Sequence, residues 1–288
     1  MEKKLTHLLD LHAGAVRQVE IQRAGISKQY IRQLVRAGQL FEGPRGVLTA
    51  PGIAEHWAEL RSKGLEVTCA TRATTLKLWT LYEQPRQLHV SFRRSRGDVP
   101  DRLRLPNGAS MPIRPHYRRH QDPHLNTVLH ALRCRTELDA LLIAESSVIQ
   151  RRVSLGDLHR LVRDKRVPHG ERAVVTRVNP ASGSYLETLS RFHLENAGFQ
   201  VQIQKYIEGL GHLDAMINGV LGLELDGRAT HDTPDGYNED RRRNNVAVIR
   251  GVPTLRVTWE MVRHDTDGFI ALVRKALNAV ETRNFRER

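Results

Sequence analysis

Two acids stand inside an apolar strand. In Val220-Leu221-Gly222-Leu223-Glu224-Leu225-Asp226-Gly227, the period of two sends Glu224 and Asp226 to one face of a β-strand whose other positions are apolar or glycine. Neighbouring carboxylates in a mostly buried strand are costly unless a cation or a hydrogen-bond network compensates them. Glu187, Asp214 and His231 lie close by in the sequence, in helix, strand and turn contexts. The expectation is a divalent-metal site assembled from these side chains.

The flanking sequence says how they could meet. Ser184-Tyr185-Leu186-Glu187 opens a helix that Gly198 closes. Ser-x-x-Glu is also the capping-box signature, so Glu187 has a structural reading beside the catalytic one. Phe199, Val201 and Ile203 alternate with glutamines as a first strand, His212 to Ile217 form a second, Asn218-Gly219 is a hairpin turn and Val220 to Asp226 form the third. A bare two-residue turn would pair Asp214 with Leu223 and put it on the wrong face. A three-residue loop Ile217-Asn218-Gly219, or an equivalent slip, would bring Asp214 onto the face of Glu224 and Asp226.

Past His231 comes a polar loop and a helix bearing Asp240, Arg241, Arg242 and Arg243; of three consecutive arginines, at least one must face inward or onto bound phosphate. Val252 to Thr258 is a further strand, and Phe269 to Val280 an amphipathic closing helix. This order predicts an α/β layer with a mixed sheet.

At 288 residues, 40% hydrophobic, the chain should form two or three globular domains, with boundaries expected at 1–60, 61–175 and 176–288. The net charge of +13 is concentrated: residues 61–175 hold 22 Lys and Arg against 11 Asp and Glu, and 176–288 are balanced. Such a charge fits a polyanionic partner, double-stranded DNA, although solubility alone also produces arginine-rich surfaces. No stretch reads as a signal peptide or a membrane span. Cys69 and Cys134 follow no metal-ligand spacing and read as buried thiols of a cytoplasmic protein without a membrane partner.

In residues 1–60, Val16, Val19 and Ile21 suggest a short helix ending at Ala24-Gly25. Ser27 then caps a second helix with Ile31, Leu34 and Val35 inward. Lys28, Gln29, Tyr30, Arg32 and Arg36 share its other face, as a recognition helix requires, and Arg45 would sit at the tip of a following hairpin. An ordinary helical hairpin with a solvated face remains the alternative.

The middle region predicts a helix from Cys69 to Leu81, a strand His89 to Phe92 running into the basic turn Arg93, Arg94, Arg96, and helical pattern from Asn126 to about Arg152, then Leu155 to Val162. His116, His120 and His124 recur every four residues, but Pro115 and Pro123 argue against a helix there, leaving a polar strand and turn facing DNA.

The string Val16 to Pro51 resembles the winged-helix domain of AbiEi-type abortive-infection antitoxins. Ser184-Tyr185-Leu186-Glu187, Leu213-Asp214, Glu224-Leu225-Asp226-Gly227 with His231, Asp240-Arg241 and Leu255-Arg256-Val257-Thr258 resemble the restriction-endonuclease-like PD-(D/E)XK superfamily, among proteins akin to very short patch repair endonucleases. The resemblance implies an α+β chain with three parts: a winged helix-turn-helix, a basic middle and a restriction-endonuclease-like mixed sheet flanked by helices. It further implies Asp214 and Glu224 as ligands of Mg²⁺ (or Mn²⁺), with Glu187, Asp226 and His231 completing the catalytic set. Asp226 stands where the superfamily usually has lysine, and Arg228 or Lys205 are the candidates for the missing cation. Ser27, Lys28, Gln29, Tyr30, Arg32, Arg36, Arg45, Arg93, Arg94, Arg96 and Arg241 would contact DNA. An inert nuclease-like domain on an antitoxin-type repressor, with a toxin protein as partner, is the other function implied.

Overall fold

Breaks in the hydrophobic pattern bound most elements of the computed structural model, which describes residues 2–53, 55–81, 86–93, 99–105, 108–163, 167–226 and 234–286. The chain is mixed α+β with mixed sheets. It divides into one unit from Met1 to Val178 and a second from Asn179 to Arg288. No helix among the described residues is long and apolar enough to cross a membrane.

The first unit begins α1 (Glu2–Leu11), β1 (Ala15–Arg17), α2 (Gln18–Arg23), α3 (Lys28–Arg36), β2 (Phe41–Glu42) and β3 (Val47–Thr49), its antiparallel sheet ordered β1-β3-β2. Val16 was expected on a helix but belongs to β1, paired with Leu48, because β-branched Val16 gains more from the sheet and the core. The helix starts only at Gln18, with the Glu20 carboxylate reaching back to accept from the Arg17 N–H at 3.0 Å. Val19 therefore faces outward, 45% exposed, while Ile21, Ile26, Ile31, Leu34 and Leu40 build the small core. Ser27 caps α3 as its sequence suggests, its hydroxyl accepting from the Tyr30 N–H at 3.2 Å.

There follow α4 (Glu55–Ser62), β4 (Glu66–Val67), α5 (Cys69–Thr75), β5 (Leu88–Phe92), β6 (Arg102–Arg104), β7 (Ser110–Tyr117), α6 (Pro123–Cys134), α7 (Glu137–Ile149), α8 (Leu155–Val162) and α9 (His169–Thr176). The sheet runs β4-β5-β7-β6, with β5 and β7 parallel. The helix expected to reach Leu81 stops at Thr75, since α7 captures the outgoing chain: Ser146 Oγ accepts from the Trp79 N–H and Asp139 Oδ1 from the Leu81 N–H. The single helical pattern expected from 126 to 152 is two helices, broken where Arg135 is extended and Thr136 caps α7 through the Asp139 N–H.

The second unit is α10 (Tyr185–Asn196), β8 (Val201–Ile207), β9 (Gly211–Ile217), β10 (Leu221–Asp226), α11 (Pro234–Ile249), β11 (Thr254–Thr258), α12 (Trp259–His264) and α13 (Thr266–Arg286). Its sheet is ordered β11-β10-β9-β8, antiparallel except for the parallel β10–β11 pair. Helix α10 packs on β8 and β9, and α13 on β10 and β11. Leu210, Leu213 and Met216 pack with Ala247 of α11.

Candidate functional site

The parity of the β9–β10 hairpin decides whether its acids can cooperate. Asn218 and Gly219 both have positive φ, +50° and +74°, and the Val220 N–H donates to the Ile217 carbonyl at 3.1 Å, closing a tight turn. Val220 is then an extra residue, because the ladder resumes with Leu221 opposite Ile217. The loop is thus Asn218-Gly219-Val220, one position later than the loop Ile217-Asn218-Gly219 expected from sequence. Continuing the register from Leu223 opposite Ala215 sets Glu224 opposite Asp214, on the same face.

The alignment extends across the sheet. Gln204 of β8 lies opposite Asp214 between the paired positions Ile203–Ala215 and Lys205–Leu213, and Arg256 of β11 is the register partner of Glu224. Gln204 has φ +52°, a conformation that a non-glycine residue adopts only under constraint. Its amide explains the constraint, donating to Glu187 Oε2 at 2.9 Å.

Glu187 joins the helix cap through its backbone alone. Ser184 Oγ accepts from the Glu187 N–H at 3.1 Å, the capping bond, but the Glu187 carboxylate does not return it. That carboxylate is buried, and it accepts from the Gly183 N–H and from Gln204. A side chain at 183 would collide with it, since a Cβ there would lie 2.9 Å from Glu187 Oε1.

Asp214 accepts from the Leu225 N–H at 2.7 Å. Its carboxyl is nevertheless pushed up from 3.8 to about 6, first by burial and then by the negative charges of Glu224 and Glu187; the Leu225 N–H and Arg243 oppose the rise. Arg243 is the inward arginine of the triplet, its guanidinium 2.5 Å from Glu224 Oε1 and donating to the carbonyls of Leu210 and His212. The cation paired with Glu224 therefore comes from α11. Lys205 is exposed, Arg228 and His231 lie outside the described residues, and Arg242 pairs with Glu239 instead. Asp226 ends β10, half-buried, opposite Thr258, and Arg241 is exposed on α11. Glu187, Asp214 and Glu224 thus form a cluster of three acids, with Arg243 paired to Glu224 and Arg256 beside it in register.

In the first unit, a cavity of about 910 Å³ is lined by six arginines, Arg17, Arg23, Arg61, Arg93, Arg118 and Arg119, against two acids, Glu20 and Glu66. The acids are already engaged. Burial alone would raise the Glu66 carboxyl, but His12, Arg61 and Arg118 hold it at about 2, and Glu20 pairs with Arg61 at 2.5 Å. The cavity wall is therefore net positive. A second cavity shares Arg17 and Val19 with it and adds Lys28 and Arg45. Lys28, Gln29, Arg32 and Arg36 are exposed on α3, whereas Tyr30 turns partly into the core. Arg45, at φ +54°, is exposed at the β2–β3 turn. Arg93 is exposed; Arg94 and Arg96 lie outside the described residues.

The three histidines at four-residue spacing do not converge. His124 bonds Asp10 and Arg72, the exposed His120 accepts from the Asp122 N–H, and His116 turns inward toward His89 and His130 rather than outward. Sequence spacing missed a different group: Cys69, His89, His116 and Cys134 place one potential ligand atom each within 4.8 Å of one another. The two thiols expected to be buried are neighbours, Cys69 buried and Cys134 only partly so.

No family model matches the chain, and no curated protein is significantly similar to it.

Proposed function

We propose that this chain is a Mg²⁺- or Mn²⁺-dependent DNA endonuclease or nickase, with the second unit hydrolysing the phosphodiester and the first unit binding duplex DNA. The observation that carries this reading is the placing of Asp214 and Glu224 on one face of the sheet beside Glu187, with the Asp214 carboxyl raised to about 6 first by burial and then by those two acids. Oxygen-only donors aligned across the middle of the β9 and β10 strands suit a hard divalent cation. Asp214 and Glu224 would hold it, and Glu187, anchored by Gly183 and Gln204, would orient the attacking water from the helix side. When bound, such an ion offsets the charge that builds on phosphate during displacement.

Arg243 fits the role left open by Asp226 at the superfamily's usual lysine position. It is held by two carbonyls and can offer charge to Glu224 or to a phosphate oxygen. The order helix, three strands, helix, strand, with the last strand parallel to its neighbour, supports the resemblance to PD-(D/E)XK nucleases. Helices α2 and α3 followed by the β2–β3 hairpin support the winged-helix reading, with Lys28, Arg32, Arg36 and Arg45 available to phosphate and base edges.

The test is incubation of purified protein with supercoiled plasmid and Mg²⁺ or Mn²⁺. Nicked or linear product that disappears in Asp214→Ala and Glu224→Ala is the expected result. A second reading, an antitoxin-type repressor with an inert nuclease-like domain, is favoured by the Arg243–Glu224 pair, which already satisfies one acid. Sequence-specific DNA binding with no metal-dependent cleavage would select it.

A further inference from the structure

We infer that Cys69, His89, His116 and Cys134 form a closed zinc site in the first unit, a structural centre separate from the carboxylate pocket and independent of the nuclease reading. Four elements supply the ligands: Cys69 opens α5, His89 lies on β5, His116 on β7 and Cys134 ends α6. The two histidines share a face of the parallel β5–β7 pair, because His89 is in register with Arg114 and Ser91 with His116.

The geometry is that of a coordination shell. His89 Nδ1 lies 3.0 Å from His116 Nε2 and 3.6 Å from Cys134 Sγ. A tetrahedral zinc with ordinary bond lengths would set nitrogen to nitrogen at about 3.3 Å and sulfur to nitrogen at about 3.6 Å. The other pairs of ligand atoms stay within 4.8 Å. Two thiols with two imidazoles suit a tetrahedral, redox-inert ion, and four protein ligands leave no position for substrate.

The surroundings fix these side chains toward one point. Cys69 has φ +49°, a left-handed conformation held at the start of a helix, which carries its thiol toward the histidines. The His89 ring is 1% exposed; its Nε2 has no hydrogen-bond partner among the described residues, so its only polar outlet is the Nδ1 that faces the cluster. His130 stacks on His116 with ring centroids 4.7 Å apart, and is itself excluded as a ligand: Thr68 Oγ1 lies at 2.8 Å from its Nδ1 and the Tyr117 carbonyl at 2.9 Å from its Nε2. Both cysteines are free. On binding, each thiol enters as a thiolate and gives its proton to solvent.

Elemental analysis of the full chain, purified without a metal-affinity tag or chelator, is expected to give about one zinc per chain. Cys69→Ser and Cys134→Ser should fall well below that, and Asp214→Ala should retain it, which separates this site from the carboxylate pocket. His116→Cys, which keeps a four-ligand shell, should retain metal where His116→Ala loses it. Replacement by Co²⁺ should give tetrahedral visible bands with thiolate-to-cobalt charge transfer. Wild-type protein that holds no zinc and takes up no cobalt would overturn the inference, whatever the variants do. So would denatured, unreduced protein in which neither thiol titrates, since that marks a Cys69–Cys134 disulfide.

Discussion

Arg243 Nη2 stands 2.5 Å from Glu224 Oε1, so a helix supplies the cation that the strand itself lacks. The same guanidinium is tied to the carbonyls of Leu210 and His212. Arg243→Ala should therefore lower stability by roughly 1–3 kcal/mol in urea unfolding, since a charged hydrogen-bond partner is lost. It should also reduce plasmid cleavage at least tenfold, with Arg243→Lys recovering part of it. Wild-type cleavage by Arg243→Ala would remove this residue from the reaction.

Asp214 links pH to stability. Its carboxyl rises from 3.8 to about 6 on folding, chiefly through burial. A carboxyl raised in the fold contributes stability that is full below the unfolded value and is lost as pH climbs through the folded one. In chelator, thermal unfolding should thus show a declining contribution between about pH 4 and pH 7 that Asp214→Asn lacks. The variant should melt higher than wild type near neutrality, and Mn²⁺ should raise the Tm of wild type only. Equal melting of the two proteins at neutral pH would refute the raised Asp214 carboxyl.

Gly183 tests the anchoring of Glu187 without touching an acid. Its φ is not in the left-handed region, so alanine meets no backbone strain, but the new Cβ would lie 2.9 Å from Glu187 Oε1. Gly183→Ala should displace the carboxylate and lower cleavage about tenfold, the scale at which misplacing a catalytic group is felt. Circular dichroism should stay unchanged.

On α3, Lys28 and Arg32 are exposed and free to reach phosphate. Each alanine variant should weaken DNA binding and lower the slope of log affinity against log salt by about one. Fluorescence anisotropy at several salt concentrations measures this; an unchanged slope in both variants would take α3 off the DNA.

Much of the second unit was legible because its signals are local. The Ser184 cap, the Asn218-Gly219 turn and the alternation through Glu224 and Asp226 each act within a few residues, but the hairpin's parity was not legible, since the sequence allows a two- or a three-residue loop and only the pairing of Leu221 with Ile217 decides between them. Which arginine turns inward was not legible, since Arg241, Arg242 and Arg243 differ only in their angle around α11. The Cys/His group escaped for the same reason on a larger scale: its members are separated by 19, 26 and 17 residues, and only the β5–β7 pairing and the α5 and α6 ends bring them together. Val16 misled because alternation over three residues resembles a helix stripe until a partner strand is known.

The extra residue at Val220 makes the hairpin a counting device. Asp214 and Glu224 each lie three positions from the pair Ile217 and Leu221, and that equal count keeps both on one side of the sheet. A residue inserted within the ladder, between Asp214 and Ile217 or between Leu221 and Glu224, would turn one acid to the opposite side of the sheet, whereas one added within the turn itself leaves Ile217 opposite Leu221 and both acids in place. Length variation should accordingly be tolerated in the turn and not in the three ladder positions on either side of it.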